Sequence, residues 1–305
     1  DRSVGEVSVR YFVPEGDEEP VERTFGRTPD MIERFAAVTG VDYPWPRYDQ
    51  VVVHDFIFGG MENAAATTLT DACLVDERAA NDYEPEYLVM HELAHQWFGD
   101  LVTCQDWSQG WLNEGWATYS ETLWAHESRG ASYATWYIWQ TAQDYFSEAD
   151  GRYSRPLVTY DFRAPIDVFD RHLYEKGACV LHTLRHELGE GPFWSAVTAY
   201  LADRGHDTAH TRHFQAVLER TTGRNLDGFF RQWVFGAGYP DLSVKLSHAD
   251  GLLTVGIEQK QSADAGQPGL DAFRFTLRVA AVDEDGNETV IDLPVRERSR
   301  AFTIP

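Results

Sequence analysis

The sequence predicts an α+β fold in two parts: strands and helices together, then a small β-sandwich-like module. Three observations predict it. Residues 6–13 and Gln50–Phe56 carry strand patterns, with a helix pattern between them. From residue 171 to 235 the chain reads as short helices separated by glycine-rich turns. Beyond Tyr239 the apolar residues alternate with the period of a strand.

Along the chain, Val7, Val9, Tyr11 and Val13 fall on one face of the first strand. A polar turn follows at Pro14–Pro20. Thr28-Pro29-Asp30 then predicts a helix start, with Thr28 as cap and Pro29 in the first helical position. Ile32, Phe35, Ala36 and Val38 supply its apolar face, and Gly40 ends it. Tyr43-Pro44-Trp45-Pro46 cannot be helical and leads into the valine-rich strand Gln50–Phe56. Gly59-Gly60-Met61-Glu62-Asn63 reads as a loop whose glycines permit close approach of a ligand to backbone. A short strand-like stretch is expected after Ala65-Ala66-Thr67-Thr68-Leu69.

Glu84-Pro85-Glu86 opens the next helix, with acids at the positive end of its dipole. Gly99 is expected to close it, and another helix starts near Asn113. Residues 132–149 read as an aromatic-rich helix whose large apolar residues, Tyr133, Trp136, Tyr137, Ile138 and Trp139 among them, are expected mostly in the core. A polar, proline-interrupted loop follows, then short helices from 171 to 235. In the tail, Leu242/Val244/Leu246, Val255/Ile257 and Phe273/Phe275/Leu277/Val279 alternate, and Asp285-Gly286-Asn287 reads as a hairpin turn.

The 305 residues are enough for a packed core plus a smaller domain, and 43% of them are hydrophobic. The net charge of −23 opposes binding to nucleic acid or an anionic membrane. No run of apolar residues is long enough to span a bilayer. Cys73, Cys104 and Cys179 form neither a zinc pattern nor an even disulfide framework, so buried free thiols are expected. The chain begins with Asp1, which leaves the compartment open. A cytoplasmic location is slightly favoured over a secreted or periplasmic one.

The chemistry sits in His91-Glu92-Leu93-Ala94-His95. Residues four apart on a helix share a face, so His91 and His95 can aim two imidazoles at one metal ion. Glu92 can reach a water on that ion. Zinc suits such a site, taking imidazole nitrogen at about 2.0–2.1 Å and keeping a position open for water. The alternative reading of the five residues alone is a surface helix with two solvated histidines. A third ligand decides between them: Glu114, in Asn113-Glu114-Gly115, on a second helix running back past the first. From Glu114, Thr118 and Glu121 lie on the same face. Glu121 is either a carboxylate that orients a ligand histidine or a solvated residue on the helix flank.

H-E-x-x-H followed by N-E-G at this spacing resembles the gluzincin metallopeptidases and, among them, the M1 aminopeptidase family. Gly59-Gly60-Met61-Glu62-Asn63 is similar to that family's G-x-M-E-N at every fixed position, and Tyr174-Glu175-Lys176-Gly177 to its Y-x-K-G. The resemblance covers nearly the whole chain. It implies a thermolysin-like catalytic domain at 21–238 and a β-sandwich-like domain at 239–305. Residues 1–20 would then be a linker or the end of an N-terminal β domain that the chain mostly lacks. That shortening departs from the usual family pattern.

The resemblance also implies one zinc ion per chain on His91, His95 and Glu114. Glu92 would be the general base, and Tyr174 the hydroxyl donor to the oxyanion. Gly59, Gly60, Met61, Glu62 and Asn63 would contact the substrate, with Glu62 on its free α-amine. The implied partners are peptides with a free N-terminus. Two rival readings stay open: a non-catalytic relative that binds a protein partner, and a zinc epoxide hydrolase or endopeptidase on the same fold.

Overall fold

The computed structural model describes residues 2–261, 272–283 and 285–304. These form two compact units, residues 1–148 with 158–225 and residues 149–157 with 226–305.

The first unit is built on a five-stranded mixed sheet. Strands β1 (Arg2–Val4) and β2 (Val7–Phe12) form an antiparallel pair. Helices α1 (Val21–Phe25) and α2 (Thr28–Thr39) then carry the chain to β3 (Arg47–Val53), which lies parallel to β2. A parallel neighbour demands such a crossover. Strand β4 (Gly60–Met61) is a two-residue edge strand, antiparallel to β5 (Ala66–Thr70), and β5 is parallel to β3. The sheet order is β1-β2-β3-β5-β4.

Several local expectations are corrected. Thr28 is the first residue of α2 rather than its cap, because its hydroxyl donates to Gln50 Oε1 at 2.8 Å inside the core. Met31 takes the buried place expected of Val38, which is exposed. β3 stops at Val53, before Asp55 adopts a left-handed φ of 57°. The expected loop at Gly59–Asn63 contains strand β4. The strand near Leu69 is Ala66–Thr70 itself, and a 3₁₀ turn, not a strand, follows it.

Helix α3 (Glu86–Ala94) ends five residues before Gly99, with His95 as its C-terminal cap. Strand β6 (Val102–Cys104) follows, then α4 (Trp111–Arg129) and α5 (Ala131–Gly151). α4 is the central helix of this unit and packs against α3 and α6 (Gly177–Leu188). Gly115 and Gly177 let α4 and α6 meet backbone to backbone. A Cβ on Gly177 would stand 2.8 Å from the Gly115 Cα, and one on Gly115 3.0 Å from the Gly177 Cα. Around α4 lies an aromatic core in which Phe98 and Trp116 stack at 4.2 Å. Helix α7 (Glu190–Arg204), strand β7 (Asp207–Ala209) and helix α8 (Thr211–Thr222) complete the unit, with β7 parallel to β6.

The aromatic helix α5 is less buried than expected. Trp136 and Trp139 are 49% and 55% exposed, while Ala134, Thr141 and Tyr145 supply the buried stripe. The thiols differ too: all three are free, but only Cys73 is fully buried.

The second unit starts with α9 (Asp227–Trp233). Its sheets are β8 (Leu242–Ala249), β9 (Leu252–Gln259) and β12 (Ser299–Ile304) in the order β12-β9-β8, and the hairpin β10 (Phe275–Val282)–β11 (Glu288–Val295). Val255, Ile257, Phe273, Phe275, Leu293 and Val295 form one core between them, and Trp233 packs on Phe273 at 5.0 Å. The hairpin turn runs through Asp285, Gly286 and Asn287, with Gly286 at φ 83°. On β8 the alternation does not translate into burial. Val244 and Leu246 pair with Ile257 and Val255, yet are 50% and 68% exposed at the sheet edge, opposite a hairpin of only two strands. Among the described residues no helix is long and apolar enough to cross a membrane.

Candidate active site

His91 lies in the last turn of α3 and His95 caps it, so both imidazoles leave the same side of the helix. Glu114 comes from the first turn of α4. Its Oε2 lies 3.3 Å from His91 Nε2 and 3.2 Å from His95 Nε2. The second ring nitrogens are engaged elsewhere. His91 Nδ1 is 2.8 Å from Glu121 Oε1, and His95 Nδ1 donates to the Phe98 carbonyl at 3.0 Å. Both Nε2 atoms are thereby left to face Glu114. Two ligands on one ion at about 2.0–2.1 Å in tetrahedral geometry stand about 3.3 Å apart. Glu114 already holds that separation from each histidine, and the three ligand atoms lie within 4.8 Å of one another, so they could converge on one zinc ion.

The electrostatics agree. Burial disfavours the charged imidazoles, but hydrogen bonds to Glu114 and Glu121 raise His91 well above the ordinary histidine range. Glu114 and Glu62 raise His95 to about 9 against the same burial. Burial pushes Glu114 up too, yet His95 and His91 hold it at about 2. The site is a buried well of negative potential that favours a cation between the imidazoles.

Glu92 is 5% exposed, and its Oε2 has no hydrogen-bond partner. Burial pushes its carboxyl up to about 7; the two imidazoles oppose this, while Glu62 and Glu114 add to it. Strand β4 runs directly over it. A Cβ on Gly60 would stand 2.3 Å from the Glu92 carboxyl carbon, so any larger residue would have to displace Glu92 or the strand. Glu62, next along, offers a carboxylate oxygen that clusters within 4.8 Å of ligand atoms of Glu92 and His95.

Tyr174 sits on a single π-helical turn, His172–Lys176, before α6. Its ring faces that of His91 at 6.1 Å. Burial, and then Glu114, Glu62 and Glu92, push its phenol up, so it stays an O–H donor at neutral pH.

A cavity of about 780 Å³ joins these groups. Gly59, Gly60, Met61, Glu62, His91, Glu92, Glu114, Glu121 and Tyr174 line it, and Phe58, Leu88, Trp107, Ile166, Phe169 and Leu173 form an apolar wall. Asn63 does not line it. That side chain is exposed and accepts from Thr68 at 3.0 Å, holding the turn into β5.

Three residues at the site are invisible to motif reading. Gln96, fully buried, donates to the Glu62 carbonyl at 3.2 Å and accepts from the Ala65 amide at 2.8 Å, tying the Glu62 segment to the histidines. Tyr137 donates to Glu121 Oε2 at 2.5 Å. Asp170 Oδ1 accepts the amides of His172 and Leu173 at 3.0 and 3.1 Å, capping the turn that carries Tyr174. Gln96 follows His95 directly, so its position was a usable signal. Tyr137 and Asp170 act across the fold and leave none.

A model of the peptidase family M1 domain matches residues 23–233. Aminopeptidase M1 of Arabidopsis thaliana is 35% identical over 253 residues, covering 80% of this chain and 28% of that protein. A solved mutant M1 zinc metallopeptidase from Deinococcus radiodurans, bound to a Tyr-Ser-Ala substrate, is 29% identical. That match covers 76% of this chain and 49% of that one, with a TM-score of 0.59. Legionella pneumophila aminopeptidase A, solved with aspartic acid, covers 96% of this chain and 33% of its own, with a TM-score of 0.74. At 18% identity that likeness is one of fold alone. The chain spans under a third of the length of the curated relatives it matches.

Proposed function

The chain belongs to peptidase family M1, and on that premise we propose that it is a zinc-dependent aminopeptidase removing N-terminal residues from peptides. One observation carries the reading: carboxylate oxygens of Glu62 and Glu92 lie within 4.8 Å of each other and of a His95 ring nitrogen. The α-nitrogen and carbonyl carbon of one amino acid are about 2.5 Å apart. An ammonium held by Glu62 therefore leaves room for one residue before the carbonyl reaches Glu92 and the histidines. Such spacing fits cleavage at the first peptide bond and no other.

His91, His95 and Glu114 would hold one zinc ion per chain, and the donor set of two imidazoles and a carboxylate suits it. When bound, zinc supplies Lewis acidity, acidifying a water and polarising the carbonyl. The residues of the chain do the rest. Glu92 takes a proton from the attacking water on its unpartnered Oε2 and returns it to the leaving amine. Tyr174 donates its hydroxyl hydrogen to the oxygen that becomes negative. Glu62 binds the ammonium by a charge-assisted hydrogen bond, and Gln96 fixes the backbone behind it. With zinc bound, Glu121 would hold His91 in the tautomer that carries its proton on Nδ1 and leaves Nε2 for the metal.

The test compares an aminoacyl amide with its N-acetyl form, in wild type and Glu62→Ala. Wild type is expected to prefer the free amine, and the variant to lose about 2–5 kcal/mol on that substrate while the gap narrows. Equal cleavage of both forms by wild type would point to an endopeptidase. No cleavage by the zinc-loaded protein would point to a binding scaffold.

A further inference from the structure

Outside the cavity, α6 carries His182 and His186 one turn apart. Their Nε2 atoms lie 3.2 Å from each other. His182 Nδ1 is 3.1 Å from the hydroxyl of Tyr119, a fully buried residue of α4. Arg185 donates to the same hydroxyl at 3.1 Å, and its other guanidinium nitrogens pair with Glu190 at 2.6 and 2.7 Å. The cation beside the two histidines is thus matched by a carboxylate.

We propose that His182 and His186 form a second metal site, for a divalent transition cation of the zinc, nickel or copper class. Two imidazole nitrogens on one ion at about 2.0–2.1 Å and a tetrahedral angle stand about 3.3 Å apart. The pair already holds nearly that distance. Residues at i and i+4 of a helix keep it without rearrangement, and imidazole suits these metals.

Protonation favours the site as well. Burial, then His186 and Arg185, hold His182 down at about 4, so its ring is neutral at neutral pH and no proton leaves it when a cation binds. Loading requires that the ring proton of His182 sit on Nδ1, where it donates to Tyr119, and that His186 turn an unprotonated Nε2 to the ion. That is the outer hydrogen bond that metal-bound histidines use to fix their tautomer. His186 is exposed and His182 half-buried, so water reaches the remaining coordination positions.

The test titrates protein carrying one equivalent of zinc, counted by elemental analysis, with nickel chloride by calorimetry. Equilibrium dialysis with elemental analysis counts both metals. Wild type is expected to keep its zinc and take up one nickel. His186→Ala and His182→Ala should each weaken the nickel by at least about tenfold, while exposed His248→Ala leaves it unchanged. Tyr119→Phe should keep the stoichiometry and weaken affinity about tenfold. His186→Ala alters an exposed side chain, so an unchanged circular dichroism spectrum and peptidase rate will confirm an intact fold. Wild type taking no nickel beyond its zinc sites overturns the proposal. So does a nickel that survives His186→Ala, or one that His248→Ala removes equally.

Discussion

His91 Nδ1 and Glu121 Oε1 lie 2.8 Å apart, and Tyr137 donates to the other Glu121 oxygen at 2.5 Å. The chain is anchored at each step, because Tyr137 belongs to α5 and Glu121 to α4. The carboxylate fixes which ring nitrogen carries the proton and raises the basicity of Nε2. Glu121→Gln keeps the shape and removes the charge. Zinc affinity is expected to fall about 10–100-fold with the fold unchanged, and competition with a chelating dye measures it. An unchanged affinity would show that Glu121 does not tune the metal site.

A second prediction concerns the contact between strand β4 and the base. Glu92→Gln should retain zinc and lose kcat by at least about 10²-fold, the scale of a general base. Gly60→Ala places a methyl 2.3 Å from the Glu92 carboxyl carbon, so one of the two must move. It is expected to reproduce the kcat loss of Glu92→Gln with zinc content near wild type. Steady-state kinetics and elemental analysis on the two variants check this together. If Gly60→Ala lowers only substrate affinity, β4 moves instead of Glu92.

These two contacts show what the sequence carries and what it does not. The imidazole pair was legible because a helix fixes the relation between i and i+4. Glu114 was legible from Asn113-Glu114-Gly115 following the histidines, and Glu121 only as a residue on the same face, with its role open. The 2.3 Å clearance over Glu92 was not, because nothing local to Gly60 says which side chain a neighbouring helix brings beneath it. Likewise Trp136 and Trp139 fit a core by hydrophobicity, yet α5 buries a different stripe. Thr28 looked like a cap, but a buried partner, Gln50, claimed its hydroxyl. The strand and helix order survived because periodicity is local. Burial of a given face depends on how many elements cover it, as the exposed edge strand β8 shows.

Glu175 gives a pH-dependent stability. Burial pushes its carboxyl up to about 7, although its hydrogen bond to Arg171 pulls it down. In the unfolded chain it titrates near about 4.3. The folded state therefore holds this proton more tightly. Its contribution is fully present below about 4.3 and lost as pH rises to about 7. Glu175→Gln stays neutral throughout. Relative to wild type, its stability should climb by on the order of 3–4 kcal/mol between those limits and then level off. Denaturant unfolding at pH 4.5, 6 and 7.5 would reveal a flat difference if Glu175 ionised normally.

The last prediction joins Tyr174 to Asp170. Tyr174 stays protonated and reaches the cavity from a π-helical turn, a rare geometry and a frequent mark of function. Its hydroxyl should meet a charge that exists only in the transition state. Tyr174→Phe is therefore expected to lower kcat by roughly 10²–10³-fold with little change in KM. Asp170 does not need to touch substrate; its Oδ1 caps the first amides of that turn. Asp170→Ala should lower kcat by less, by letting the hydroxyl wander. The two effects share one route, so adding Asp170→Ala to Tyr174→Phe should cost almost no further kcat. Full additivity would show that Asp170 acts on something other than the tyrosine, and a pure KM effect of Tyr174→Phe would move that residue from the oxyanion to ground-state binding.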